Sequence, residues 1–178
     1  MQNIQINSKG IFTEAKFIAS SNVDARPSPE DISLIVIHNI SLPPRQYGGN
    51  GVIELFTNQL NPDEHPYYAE IAHLKVSSHF FIRRDGELIQ FASCNDRAWH
   101  AGASNWQGRE QCNDFSIGIE LEGSDFEVFE PLQYETLQTL IASIKARYPI
   151  QAITGHSDIS PGRKTDPGAY FDWTRTKT

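Results

Sequence analysis

The apolar positions of this chain fall into a few definite runs separated by long polar stretches rich in glycine and proline. From Ile32 to His38 the sequence reads ISLIVIH, apolar on both faces, which predicts a buried central strand. The loop SLPPRQYGGNG follows, and Val52 to Leu60 predicts a short helix that Asn61-Pro62 stops. Ser78–Arg84 and Glu87–Ala92, joined by Asp85-Gly86, predict a hairpin, Asp-Gly supplying the positive φ angles of a type I′ turn. An irregular stretch rich in Trp, Asn and Gly spans Ser93 to Asp114. Phe115 to Leu121 then alternates, with Ile117, Ile119 and Leu121 on one face and Gly118, Glu120 and Glu122 on the other. Pro131 to Tyr148 predicts the best helix: Pro131 suits its first position, and Leu137, Leu140, Ile141 and Ile144 form the buried stripe. Tyr148-Pro149 closes it, a short strand around Ile150–Thr154 leads to Gly155-His156, and Ser160 to Gly168 reads as a loop. Residues 1–30, ending in the proline-rich ARPSPED, read as peripheral. The whole predicts an α/β fold, a central mixed β-sheet flanked by helices, with two long loops placed to roof a cleft on one side.

A chain of 178 residues suits a single domain (catalytic core about 30–173), and 39% hydrophobic with 21% charged residues is the balance of a globular protein. No apolar stretch is long enough to cross a bilayer, and the N-terminus lacks a basic start followed by an apolar run. No membrane association and no secretion are therefore expected, the cytoplasm is the expected compartment, and a monomer the expected state. The net charge of −7 and pI near 5.3 repel phosphate backbones and anionic wall polymers. That argues against a nucleic-acid partner and for a small soluble substrate. Cys94 and Cys112 read as reduced thiols, a single bridge being the alternative.

A catalytic zinc site needs three protein ligands and one open position. His38 and His156 each sit at the end of a predicted strand, and Asp166 follows ten positions after His156, so the three converge if those strands are neighbours. There is no H-E-x-x-H to bring ligands together by helical pitch, and a lone histidine is more often a backbone-bonded or surface imidazole. Glu120, beside the open space left by Gly118, is placed to act as a general base; alternatively that face is wet and Glu120 and Glu122 are both solvated. Lys164, two positions from Asp166, is able to donate to a developing oxyanion, although a solvated loop lysine is the common case. Trp99 and His100 lie where contact with a sugar ring is plausible, and Trp99 fits core packing equally well. Cys94, Cys112 and His100 fit no closed zinc motif, and neither a nucleophile elbow nor a phosphate-binding glycine loop occurs. Asn39-Ile40-Ser41 matches a glycosylation acceptor, read as chance where no secretion is expected.

Four segments carry a family resemblance: HNISLPP (38–44), RAWHAG (97–102), GREQCNDFSIGIELEG (108–123) and GHSDISPGRKTDPG (155–168). Together they resemble the type 2 N-acetylmuramoyl-L-alanine amidases, over about Ala15 to Trp173, and within them the cytoplasmic enzymes acting on 1,6-anhydro-muropeptides in Gram-negative bacteria. The resemblance implies the fold shared with peptidoglycan recognition proteins and phage T7 lysozyme, and one zinc ion held by His38, His156 and Asp166. It implies Glu120 as the catalytic acidic residue and Lys164 as the lysine of transition-state stabilisation. It further implies a role in peptidoglycan recycling, with an influence on β-lactamase induction. Substrate contacts are expected from Asn39, Trp99, His100, Lys75 and Gln111. Lys75 and Gln111 stand where the closest relatives are expected to carry arginine; lysine is only a point charge in place of a bidentate fork, and glutamine is uncharged.

Overall fold

Successive side chains of a strand point to opposite faces of its sheet, and here that alternation separates a core from a site. The computed structural model describes residues 5–177; Met1 to Ile4 and Thr178 lie outside the described residues. In chain order the strands are β1 (Lys16–Phe17), β2 (Val23–Ala25), β3 (Leu34–Ile40), β4 (Phe80–Ile82), β5 (Leu88–Gln90), β6 (Asp96–Ala98), β7 (Asn105–Trp106), β8 (Arg109–Glu110), β9 (Ser116–Glu122) and β10 (Ala152–Gly155). The helices are α1 (Gly51–Phe56), α2 (Pro66–Ile71), α3 (Pro131–Arg147) and the single turn α4 (His156–Ile159). The main sheet has the order β1-β5-β4-β9-β3-β10. Its neighbours are parallel except for the antiparallel hairpin β4–β5, so the sheet is mixed as expected.

On one face Ile35, Ile37, Ile117, Ile119 and Leu121 pack beneath α3, whose Leu137, Leu140, Ile141 and Ile144 form the stripe predicted from their spacing. Each such side chain, fully removed from water, stabilises the fold by about 1.5–3 kcal/mol. Gln133, wholly buried, fastens the helix by donating to the carbonyls of Ile82 and Glu122 at 3.2 and 3.0 Å. The opposite face carries two apolar clusters, one around Leu34, Val36, Phe115 and Ile159, the other around Leu55, Phe56, Phe81 and Phe91. His38 and Glu120, paired in register across β3 and β9, share that second face with them.

Several expectations are corrected. Residues 5–30 are not peripheral: Ile6 and Phe12 are only 2% exposed, and β1 forms the sheet edge beside β5. Arg26 is also buried, its guanidinium donating to the carbonyls of Cys94, Asn113, Asp114 and Ser116. Such isolated contacts leave no periodic trace in a sequence. At the hairpin only Gly86, not Asp85, has positive φ, and the amide of Arg83 donates to Glu87 O at 2.9 Å, so the connection is a three-residue loop rather than a type I′ turn. The helix expected over Val52–Leu60 runs from Gly51 to Phe56, since Asn58 takes a left-handed φ of 59° and ends it early. The face of β9 that bears Glu120 and Glu122 is not wet. Glu122 is 3% exposed, its carboxylate accepting from the amides of Gly48 and Arg84. Cys94 and Cys112 are free and buried. Among the described residues no helix is long and apolar enough to cross a membrane.

Candidate metal centre and active-site cleft

β3, β9 and β10 run parallel, so their C-terminal ends reach one edge of the sheet, the usual place for a site in such folds. His38 and Glu120 lie near the ends of β3 and β9, and His156 follows β10 as the first residue of α4. The strand stops there because Asp158 Oδ2 accepts from Thr154 Oγ1 and the Gly155 amide, at 2.8 and 3.0 Å. Gly155 permits what comes next: a Cβ there would stand 2.9 Å from Pro167 Cδ. The chain folds back closely enough for the Ser157 amide to donate to Asp166 O at 2.9 Å, and Asn39 Nδ2 donates to Pro167 O at 3.0 Å and Asp125 Oδ1 at 2.7 Å. Residues 38, 156 and 166 are thereby brought together.

His38 Nδ1 lies 3.0 Å from both His156 Nδ1 and Asp166 Oδ2, and the latter pair are 3.2 Å apart. Ligand atoms about 2.0–2.1 Å from a tetrahedral zinc ion would be about 3.3 Å from one another, close to this spacing. Two imidazole nitrogens and a carboxylate oxygen are a zinc donor set; with both rings protonated on Nε2, three lone pairs this close repel one another and a cation among them relieves that repulsion. Glu120 Oε1 is 4.0 Å from His38 Nδ1, and Glu120 Oε2 is buried with no hydrogen-bond partner among the described residues. A buried carboxylate oxygen without a partner is costly, and its position beside the three donors fits a site that also holds water.

Burial shapes the charges. It pushes the His38 imidazole down to about 4, leaving a neutral ring. Burial, reinforced by the Asp166 charge and opposed by Lys164, raises the Glu120 carboxyl well above its usual range. Burial works upward on Asp166 too, but the imidazoles of His156 and His38 at its Oδ2 outweigh it and hold the acid below the usual carboxylate range. The cluster thus joins a neutral imidazole, a carboxylate held ionised and a carboxyl that burial holds toward its protonated form.

These groups open onto a cleft of about 420 Å³, lined also by Asn39, His100 and Lys164. His100 is 9% exposed, with Nδ1 at 2.9 Å from His38 Nε2. The space expected beside Gly118 is filled by this ring: a Cβ on Gly118 would come within 2.5 Å of His100 Cγ. Trp99, Lys75 and Gln111 are not brought into the cleft. Trp99 is half-buried, Lys75 is exposed between Leu74 and Val76, which line the cleft, and Gln111 is exposed. One wall was missed from the sequence, formed by Tyr67, Ile71 and Leu74 on and after α2 together with Leu55 and Phe56 of α1. Its signal was present in the helical i, i+4, i+7 spacing of Tyr67, Ile71 and Leu74. Arg45 at the cleft was also missed, since an arginine in a long loop has no distinguishing pattern.

A sheet-edge cleft with three convergent donors and a buried, unpartnered acid has the build of a hydrolase. The chain belongs to the N-acetylmuramoyl-L-alanine amidase family, whose profile matches residues 28–169. It is 53% identical over 178 residues to the 1,6-anhydro-N-acetylmuramyl-L-alanine amidase AmpD of Haemophilus influenzae, covering 98% of this chain and 97% of that protein. The crystal structure of a selenomethionine AmpD derivative superposes with a TM-score of 0.92 at 52% identity, covering 94% of this chain and 95% of that one. The Escherichia coli amidase AmiD, solved with anhydro-N-acetylmuramic acid-L-Ala-D-γ-Glu-L-Lys, matches with a TM-score of 0.61 at 30% identity, covering 86% of this chain and 59% of that one.

Proposed function

We propose that this chain is a zinc amidase that hydrolyses the bond between the lactyl group of 1,6-anhydro-N-acetylmuramic acid and L-alanine in soluble muropeptides. The observation that carries the reading is the convergence of His38 Nδ1, His156 Nδ1 and Asp166 Oδ2 at 3.0–3.2 Å beside the unpartnered Glu120. The near full-length likeness to the AmpD enzymes supports the choice of bond. His38, His156 and Asp166 hold the ion, which when bound supplies positive charge to polarise the amide carbonyl and acidify water. Glu120 takes the proton of the attacking water and returns it to the departing alanine nitrogen, which would otherwise leave as a poor amide anion. Lys164, lining the same cleft, donates to the oxygen on which negative charge develops. The apolar α1–α2 wall receives the sugar and lactyl methyl. Arg45 and Lys164 at the cleft draw the carboxylates of a stem peptide to a chain that is otherwise acidic. Asn39 acts chiefly by holding the Asp166 loop.

The whole chain acts as one catalytic unit, in the cytoplasm and as a monomer, in the recycling of wall fragments; altered muropeptide levels would then influence β-lactamase induction. The test is digestion of anhydro-muramoyl tripeptide beside intact sacculi, with and without chelator. Chelator-sensitive release of tripeptide from the soluble compound is expected. Comparable action on sacculi would favour a wall-lytic enzyme instead.

A further inference from the structure

We propose that the dipeptide His100-Ala101, fixed in place by Asn113, orients both imidazole ligands; this rests on the zinc reading above. A histidine that binds through Nδ1 must carry its proton on Nε2 and needs an acceptor there. His156 Nε2 lies 3.0 Å from the carbonyl of Ala101, which can only accept. His38 Nε2 lies 2.9 Å from His100 Nδ1, and His100 Nε2 lies 3.1 Å from Ser116 Oγ. With His100 donating to Ser116, its Nδ1 is free to accept from His38, and the lone pair of His38 Nδ1 is turned toward the ion. Without that acceptor, His38 is free to adopt the opposite tautomer and donate Nδ1–H to Asp166 Oδ2, 3.0 Å away, closing the ligand position.

Adjacent residues of one loop therefore serve the two histidine ligands, one through a side chain and one through a carbonyl. Asn113 Oδ1 accepts from the amides of both His100 and Ala101, at 3.1 and 2.8 Å. Arg163 steadies the far side by donating to Ala101 O at 2.7 Å. The bare Cα of Gly118 supplies the floor on which the His100 ring lies. Asn113 and His100 are thus positioning residues, neither of them a ligand.

Zinc affinity, measured by competition with a fluorescent chelator, tests this beside melting of the metal-free proteins and the visible spectrum of their cobalt forms. His100→Leu fills similar volume without an acceptor, and its zinc affinity is expected to fall about 10–100-fold with altered cobalt bands. His100→Asn offers an oxygen near the position of Nδ1 and is expected to recover most of that loss. Asn113→Ala should weaken binding, whereas Asn113→Asp, which keeps an acceptor for both amides, should stay close to the parent. The Asn113 pair carries the test should His100→Leu fail to fold. Affinities that match the parent in His100→Leu and Asn113→Ala would overturn the proposal. So would equal losses in the conservative and non-conservative member of each pair, tracking a loss of metal-free stability. A parent protein that takes up no zinc would instead bring down the zinc reading, and that is seen before any variant is compared.

Discussion

Replacing Glu120 with glutamine should make the metal-free protein more stable and the enzyme nearly inactive. Glu120 is 8% exposed and its Oε2 has no partner among the described residues. Leaving a buried polar group unsatisfied costs about 1–3 kcal/mol, and more when it is charged. Glutamine keeps the shape and a polar end but cannot ionise, so it removes only the cost tied to the carboxylate, about 1.4 kcal/mol for each pH unit over which the folded carboxyl keeps a proton that the unfolded one has released. For a chain of this length each kcal/mol raises Tm by about 2–4 °C. The sign depends on pH. Because its folded pKa lies above the ordinary 4.5, Glu120 keeps its proton in the folded chain where the unfolded chain has released it. The wild-type fold therefore loses stability as pH rises through that range, and the advantage of the variant closes below about pH 4. Losing the group that moves the proton should lower kcat by about 100- to 10,000-fold. The assay is thermal melting of chelator-treated wild type and variant at neutral and acid pH, paired with turnover of the zinc-loaded forms. An inactive variant that melts no higher than wild type at pH 7 would refute the reasoning, since Glu120 would then be satisfied in the metal-free fold.

Three further outcomes follow from named contacts. Gly118→Ala forces a Cβ to within 2.5 Å of His100 Cγ; overpacking of about 1–3 kcal/mol should lower Tm and weaken zinc uptake together. Lys164→Ala, at an exposed position, should slow turnover about a hundredfold or more while leaving the melting curve almost unmoved. His79 is wholly buried, and burial followed by the nearby Arg26 charge holds it at about 3. Its contribution is complete above the unfolded value of 6.5 and is lost as pH falls toward 3. Urea titrations of His79→Gln between about pH 4 and 6.5 should show the pH slope of stability reduced by one proton's share, about 1.4 kcal/mol per pH unit.

The parts of the fold legible in advance are those whose burial repeats along the chain. Leu34 to Ile37 is buried on both faces and reads as an unbroken apolar run, while α3 shows its stripe at Leu137, Leu140, Ile141 and Ile144. Pairing between strands is not a local property. Nothing near His38 says that Glu120 stands opposite it in register; strand ends suggest that residues 38, 156 and 166 converge only if their strands are neighbours, and the family resemblance of the four segments supplies that condition. The N-terminal contribution was invisible because Ile6, Phe12 and Arg26 are single residues set in polar surroundings. A histidine beside Trp99 in a loop reads as a sugar contact, and His100 does line the cleft; the sequence clue to its place against His38 is Gly118, since a glycine inside a strand marks close approach by something else.

The most direct test of the central claim is to run the reaction in oxygen-18 water with zinc-loaded protein, chelator-stripped protein and stripped protein given zinc again. The account predicts the heavy oxygen in the new lactyl carboxylate of the anhydro-sugar, an unlabelled free alanine amine on the peptide, and activity that disappears and returns with the metal. Full turnover by the stripped protein, or cleavage at any bond other than the lactyl–alanine amide, would contradict it.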